Sequence, residues 1–303
     1  MSKDERIKGL LLAAFGSSSW GLSGVCSQYL FMKYDIDSSW LTAVRMVFSG
    51  IALLLIALPK EKMRTFRIWQ SAKDVRDLLI FAVFGLLLCS YAYLTAVEFS
   101  NSATATVLQN LNVVLMAVVM VIWRRAHISG YHIAAIILAV LGTYLIATGG
   151  DPASMKLSPA GLFFGLLAAV GVVTYTLLSR PVVRAWGNLL ATGWGMLAGG
   201  LVLFITSKAW IAPADFDTFA WIMVLVIVLV GGAAGFAAFL EGVKYIGPVK
   251  ATLIGTLEPA TATILSAAFL GTRFTIPELI GFICIILTVF ISSSKNVLDR
   301  NGA

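Results

Sequence analysis

Charge is scarce in this sequence: Asp, Glu, Lys and Arg make up 12% of its 303 residues, against about 25% in soluble globular domains. With 59% apolar residues and a mean hydropathy of +0.92, the chain is excluded from the class of water-soluble globules. Histidine is rarer still, with only His127 and His132. Haem, di-iron and zinc chemistry are therefore poorly supplied with ligands, and no metal or cofactor is expected. The three cysteines, Cys26, Cys89 and Cys284, fall in separate apolar runs without CxxC spacing. They read as small buried hydrophobes rather than a disulfide framework or a zinc site. A net charge of +7 could suggest nucleic acid, but the basic residues lie in short loops and not on one patch. They read as topology determinants.

Long apolar runs dominate what remains. Runs of spanning length cover 7–31, 38–58, 77–97, 102–123, 129–149, 159–179, 187–207, 217–238, 249–270 and 275–294. That predicts ten transmembrane helices and leaves no room for a soluble domain. The basic start and the small residues Gly16 to Ser19 imitate a signal peptide, but no Ala-x-Ala site follows and the run continues past Trp20. It reads as a retained first helix.

Alternation of these spans places 17 Lys and Arg on one side of the membrane and 4 on the other, with Arg45 inside the second span. Such asymmetry predicts an even number of helices with both termini cytoplasmic.

Shifting the chain by 146 positions lays Leu94–Val113 on Leu240–Pro259. Leu94/Leu240, Val97/Val243, Ala105/Ala251, Thr106/Thr252 and Leu111/Leu257 are then identical. The expected plan is two five-helix halves, residues 1–150 and 151–303. Because five is odd, the second half enters from the opposite side, which gives an inverted repeat with its site near the midplane. The register also pairs Asn112 with Glu258, Asn110 with Thr256 and Thr106 with Thr252, as a polar ring would require.

Glu258, followed at once by Pro259, is the costliest feature in any span. An intramembrane carboxylate is by default functional, binding a substrate cation or a proton, with a structural anchor as the bland alternative. Pro259 removes a backbone donor and disturbs the preceding turn. Gln109, Asn110 and Asn112 bind substrate or join helices, and Thr252 and Thr256 share a face with Pro259 and Thr263. Glu258 lies instead with Gly255, Ala262 and Ser266, and the sequence leaves open which face lines a cavity. Trp20, Tyr91, Tyr93, Tyr175 and Trp194 are the aromatics nearest mid-span, and cation–π contact from Trp20 and Tyr91 would suit an organic cation or zwitterion. Arg45 reads as a packing or pairing residue, while Glu241 and Lys244 read as an interfacial pair with a gating role as the lesser alternative.

On Trp20-Gly21, Arg45, NSATATVLQNLNVVL (101–115) and EGVKYIGPVKATLIGTLEPATATILSAAFLG (241–271), the sequence resembles the drug/metabolite transporter superfamily, in its EamA-type ten-helix branch. The resemblance covers essentially the whole chain. It implies an inner-membrane carrier with a cavity lined chiefly by helices 1, 3, 4, 6, 8 and 9, which exports or takes up small metabolites. Two departures stand out. Val113 occupies a position where the family often has proline, so helix breaking need not be symmetric between the halves, and Arg273 stands where an acid is common.

The function expected is alternating-access movement, with export favoured, of a small amphipathic metabolite: an amino acid or relative, or an organic cation. A lipid or drug flippase or passive facilitator of the same fold is the alternative. A membrane-embedded enzyme is a poorer fit, since it needs a nucleophile with a base or clustered metal ligands at bilayer depth. The partners expected are a small-molecule substrate and membrane lipid, without nucleic acid, for a monomer or homodimer. The charge count is testable: green fluorescent protein fused after Ala303 should fluoresce, and alkaline phosphatase fused there should stay inactive. The opposite pattern would overturn an even number of spans with cytoplasmic termini.

Overall fold

A computed structural model describes residues 3–124, 130–151 and 156–298; His127 and the side chains of His132 and Thr252 lie outside the described residues. Among those described there is no strand. The helices are α1 (Lys3–Lys33), α2 (Ser38–Glu61), α3 (Ala72–Glu98), α4 (Ser102–Gln109), α5 (Asn112–Arg124) and α6 (Gly130–Thr148). They continue as α7 (Pro159–Trp186), α8 (Asn188–Thr206), α9 (Thr218–Ile246), α10 (Pro248–Gly255), α11 (Leu257–Leu270) and α12 (Ile276–Leu298). Several starts follow from local chemistry. Asp37, Asn101, Ser158 and Asp217 each accept a hydrogen bond from an N–H of the first turn that follows, as N-caps do. The Ala220 N–H, first among its partners, holds the Asp217 carboxyl below its ordinary range.

Among the described residues, seven helical stretches are long and apolar enough to cross a membrane: α1, α2, α3, α7, α8, α9 and the run Leu253–Leu270. The remaining three expected spans have a different form. Residues 102–123 are divided between α4 and α5, and the apolar described stretches of α6 and α12, Ile133–Thr148 and Ile276–Ile291, are shorter. The chain is an all-helical, multi-pass membrane protein. Its exposed surface is correspondingly apolar, with Phe48, Leu55, Ile137, Phe163, Phe269 and Ile283 turned outward.

Both interruptions have identifiable causes. Between α4 and α5 the N–H groups of Leu111 and Val113 bond three residues back instead of four, and that of Asn110 is shared between Thr106 O and Val107 O. Here the Asn110 Nδ2 donates to Thr106 O at 2.9 Å and the Asn112 Nδ2 to Gln109 O at 2.7 Å. Side-chain amides thus compete with the helical ladder. Between α10 and α11, Pro259 has no N–H to offer the Gly255 carbonyl. Beside it the Thr256 hydroxyl donates to Leu253 O at 2.7 Å, a carbonyl that the Thr256 N–H also reaches at 3.3 Å.

Several landmarks recur 146 residues apart. The starts of α3 and α4 at Ala72 and Ser102 have counterparts at Thr218 and Pro248. Widened π-helical turns occur at Ala82–Leu87 in α3 and at Val226–Ala234 in α9. Neighbouring hydroxyls serve carbonyls in both: Thr174 Oγ1 donates to Phe84 O at 2.7 Å and Ser49 Oγ to Val228 O at 2.9 Å. The broadest packing pairs α2 with α8, α6 with α12, α1 with α9 and α3 with α7. Exchanging the two halves maps this set onto itself.

Close approach depends on small residues. Where α6 crosses α12, a Cβ on Gly142 would stand 2.8 Å from Gly281 O, and one on Gly281 2.7 Å from Gly142 O. A buried amide ties the Lys33 end of the bundle together. Gln28 Oε1 accepts from Ser102 N and from Ser266 Oγ, each at 3.0 Å, and its Nε2 donates to Thr272 Oγ1 at 3.1 Å.

Two stability outcomes follow from this packing. Gly281→Val should cost about 1–3 kcal/mol through overpacking and lower the thermal midpoint of the purified protein. Gly255→Ala, where a Cβ meets nothing within 4 Å, should leave it unchanged; equal midpoints would refute the contact. Gln28→Leu leaves the Ser102 N–H and Ser266 hydroxyl unpaired, each worth about 1–3 kcal/mol when buried. Its midpoint should fall by more than that of an exposed control such as Lys33→Gln.

Candidate functional site

The interruptions place two helix starts, Asn112 of α5 and Leu257 of α11, in the interior of the bundle. Beside them lies a cavity of about 250 Å³. Glu258 enters it from the first turn of α11, where free N–H groups and the helix dipole favour a carboxylate. Asn112 enters it as the first residue of α5. The face of α11 carrying Glu258 is therefore the inward one, and Ser266 on that face is fully buried.

Glycines bring the other walls close. Gly21 lets α1 lie on the backbone of α11, since a Cβ there would stand 2.6 Å from Glu258 O. That approach sets Trp20 into the lining, its ring centroid 5.0 Å from Phe236 and 4.8 Å from Phe239. On the opposite wall Gly171 lets α7 approach α3, where a Cβ would come 2.6 Å from Cys89 Cα. Tyr175 of α7, 5.6 Å from Phe81 between ring centroids, completes that side. Gln109 reaches the Cys89 Sγ at 3.5 Å.

Arg45 of α2 lines the same cavity and is only 8% exposed. It interacts electrostatically with Glu258, yet no ion pair within 4 Å joins them. The Arg45 Nε and the Trp20 Nε1 have no hydrogen-bond partner. Both belong to residues of this lining. A larger opening of about 510 Å³ lies between α5, α6 and α7; Leu111, Val114, Ile136 and Ala139 are among its lining, which holds no charged residue.

The structure thus gathers Trp20, Arg45, Gln109, Asn110, Asn112, Tyr175 and Glu258 of the expected residues around one cavity. Others stand elsewhere. The Tyr91 ring packs edge-on against Phe164 at 6.2 Å and is absent from the lining. Thr256 spends its hydroxyl on the interruption, Pro259 is buried, and the Thr252 side chain is outside the described residues. Glu241 pairs with Lys244 at 2.6 Å in an exposed position. Trp194 donates from Nε1 to Thr65 O at 2.7 Å, which ties it to the segment after α2. Sequence reasoning did not single out Cys89, Ser90, Phe236 or Phe239 as lining residues, and Tyr93 was only one mid-span aromatic among five. Their signal was available in the partner residues Gly171 and Gly21, which mark where walls close in.

A family model described as the EamA-like transporter family matches the chain twice, over residues 7–148 and 159–294. The uncharacterized inner membrane transporter YicL of Salmonella typhimurium is 32% identical over 289 residues, covering 94% of this chain and 95% of that protein. An uncharacterized transporter of Clostridium kluyveri is 24% identical over 299 residues, with 95% and 92% covered. The uncharacterized transporter YyaM of Bacillus subtilis is 23% identical over 258 residues, with 83% of each chain covered. A solved crystal structure superposes over 99% of both chains with a TM-score of 0.64 at 16% identity, a likeness of fold alone. The chain belongs to the EamA-like transporter family.

Proposed function

We propose that this protein moves a small amphipathic metabolite, an amino acid or relative or an organic cation, across the inner membrane by alternating access. Export is the favoured direction. The carrying observation is a cavity of about 250 Å³ at the interrupted helices, lined by aromatics, amides, Arg45 and Glu258. That is close to the size of a small-solute pocket. Family membership supports a transporter rather than an enzyme, and the name of the Salmonella relative supports the inner membrane.

The reading includes ten spans in two inverted halves, 1–150 and 151–303, with both termini cytoplasmic. Landmarks recurring 146 residues apart and a packing pattern that survives exchange of the halves support it. Interrupted helices that converge at bilayer depth are the usual site builders of such carriers. Glu258 is the group that meets a substrate cation or a coupling proton, because burial of a carboxylate at that depth is costly without such a role. The apolar opening beside α5 and α6 is what a lipid pathway would use. Competition of flux by soluble metabolites rather than lipids separates the two readings.

Proteoliposomes holding the full-length protein should accumulate at least one member of a panel of amino acids, organic cations and metabolites. No flux for the whole panel would sink the proposal. Glu258→Gln should lower that flux roughly tenfold or more, the worth of one charge-assisted hydrogen bond. Unchanged uptake driven by a pH gradient would show that this carboxylate does not couple protons.

A further inference from the structure

We propose that Gln28 is the latch of an external gate: its amide holds the Lys33 end of the bundle shut while the opposite, cytoplasmic end stands parted, so that the cavity is reached from the cytoplasm. This rests on the transport reading above and its inverted arrangement, and adds which end is closed and what closes it.

Exchange of the two halves turns α1 into α7, α3 into α9, α4 into α10 and α5 into α11. At the Lys33 end α1 packs on the last turns of α3, on α4 and on α11, and α4 packs on α11. The counterparts at the other end are contacts of α7 with the last turns of α9, with α10 and with α5, and of α10 with α5. Among the described residues, α7 meets α5 less broadly than α1 meets α11, and the other three contacts have no comparable counterpart. The outer pair, α2 and α8, is fastened at both ends. Trp40 Nε1 of α2 donates to Ile211 O at 3.0 Å, and Trp194 Nε1 of α8 donates to Thr65 O at 2.7 Å. The difference between the ends is therefore confined to the central helices that wall the cavity.

Gln28 stands at the middle of the closed end, where it is 5% exposed. Its one amide joins α1 to the N–H of Ser102 at the start of α4, to the Ser266 hydroxyl of α11 and to the Thr272 hydroxyl just after α11. One turn nearer the cavity, Gly24 brings α1 so close that a Cβ would strike the Tyr93 hydroxyl and the Ser102 Oγ. Tyr93 in turn lines the cavity, so the latch lies directly beyond the cavity wall. The counterpart of Ser102 is Pro248, which has no N–H with which to repeat the bond at the other end. Hydrogen bonds suit a seal that must open. Water replaces them as the end parts, so each one's net worth is modest, whereas an apolar seal of the same extent exposes its whole face.

The test reads which end admits a reagent. Cys89 lines the cavity and serves as reporter once the buried Cys26 and Cys284 are changed to Ala. The full-length protein is labelled with membrane-impermeant methanethiosulfonate ethyltrimethylammonium in inside-out and in right-side-out membrane vesicles. Labelling should be roughly tenfold or more faster from the cytoplasmic face, as a population held in one state requires. Gln28→Leu should speed labelling from outside and slow it from the cytoplasm, moving the ratio of the two rates roughly tenfold or more, as loss of several hydrogen bonds implies. Ser266→Ala, which removes one of these bonds and adds no bulk, should move the ratio the same way by roughly fivefold; it decides if Gln28→Leu fails to fold. A side chain that merely holds the fold together would on removal raise both rates equally. That result, or an unchanged ratio, overturns the latch. Wild-type labelling that is equal from the two sides, faster from outside or absent from both overturns it too. Flux of a panel member with an unmoved ratio sinks the latch alone, whereas flux of nothing sinks the transport reading and leaves the labelling ratio to decide which end is closed.

Discussion

Inside a bilayer a backbone N–H or C=O has no water to turn to, so any break in a spanning helix must be closed by the protein itself. The architecture of this chain depends on meeting that constraint twice. Before α5, two asparagine amides donate to the carbonyls of Thr106 and Gln109. Before α11, Pro259 has no N–H for the Gly255 carbonyl, and the Thr256 hydroxyl adds a donor to the carbonyl of Leu253. Different side chains serve backbone carbonyls at interruptions 146 residues apart. What they hold in place is the pair of interior helix starts beside which the cavity forms.

Equal backbones carry unequal chemistry. A helix start is electropositive whatever its sequence, so the residue placed there decides whether the site is already satisfied or open to a ligand. Glu258 satisfies one start from within, and Asn112 leaves the other neutral. Arg45 adds a cation that no carboxylate pairs at short range. The polarity of the cavity thus arises from two substitutions laid on a repeated frame and needs no dedicated binding loop.

How far the sequence discloses this arrangement depends on the residue type that does each job. Glu258 and Pro259 are legible because a charge and a helix breaker are both rare at bilayer depth. The interruption before α5 is not: Val113 stands where a proline would announce it, and asparagines are common enough in spans to be read as helix glue. The widened turns at Ala82–Leu87 and Val226–Ala234 carry only apolar and glycine residues. They leave no mark in hydropathy. Gln28 is similarly silent, since a single amide near a helix end gives no hint that it bonds three separate segments. Tyr91 and Tyr93 show the finer limit. Both sit mid-span two residues apart, and only packing decides that Tyr93 lines the cavity while Tyr91 meets Phe164.

On the proposed inverted arrangement, repetition has an energetic consequence. Two halves built to one plan can exchange roles, which makes two conformations of opposite access close in free energy. A solute then shifts the balance only through contacts that differ between the states. The Ser102 N–H bond to Gln28 at the Lys33 end, where Gln28 also binds Ser266 and Thr272, has no copy at the Pro248 start of α10, because proline has no N–H to donate. The frame is symmetric and its fastenings are not. A bias between the two states is therefore written into the side chains that tie the ends, and the charges in the middle decide which solute works against it.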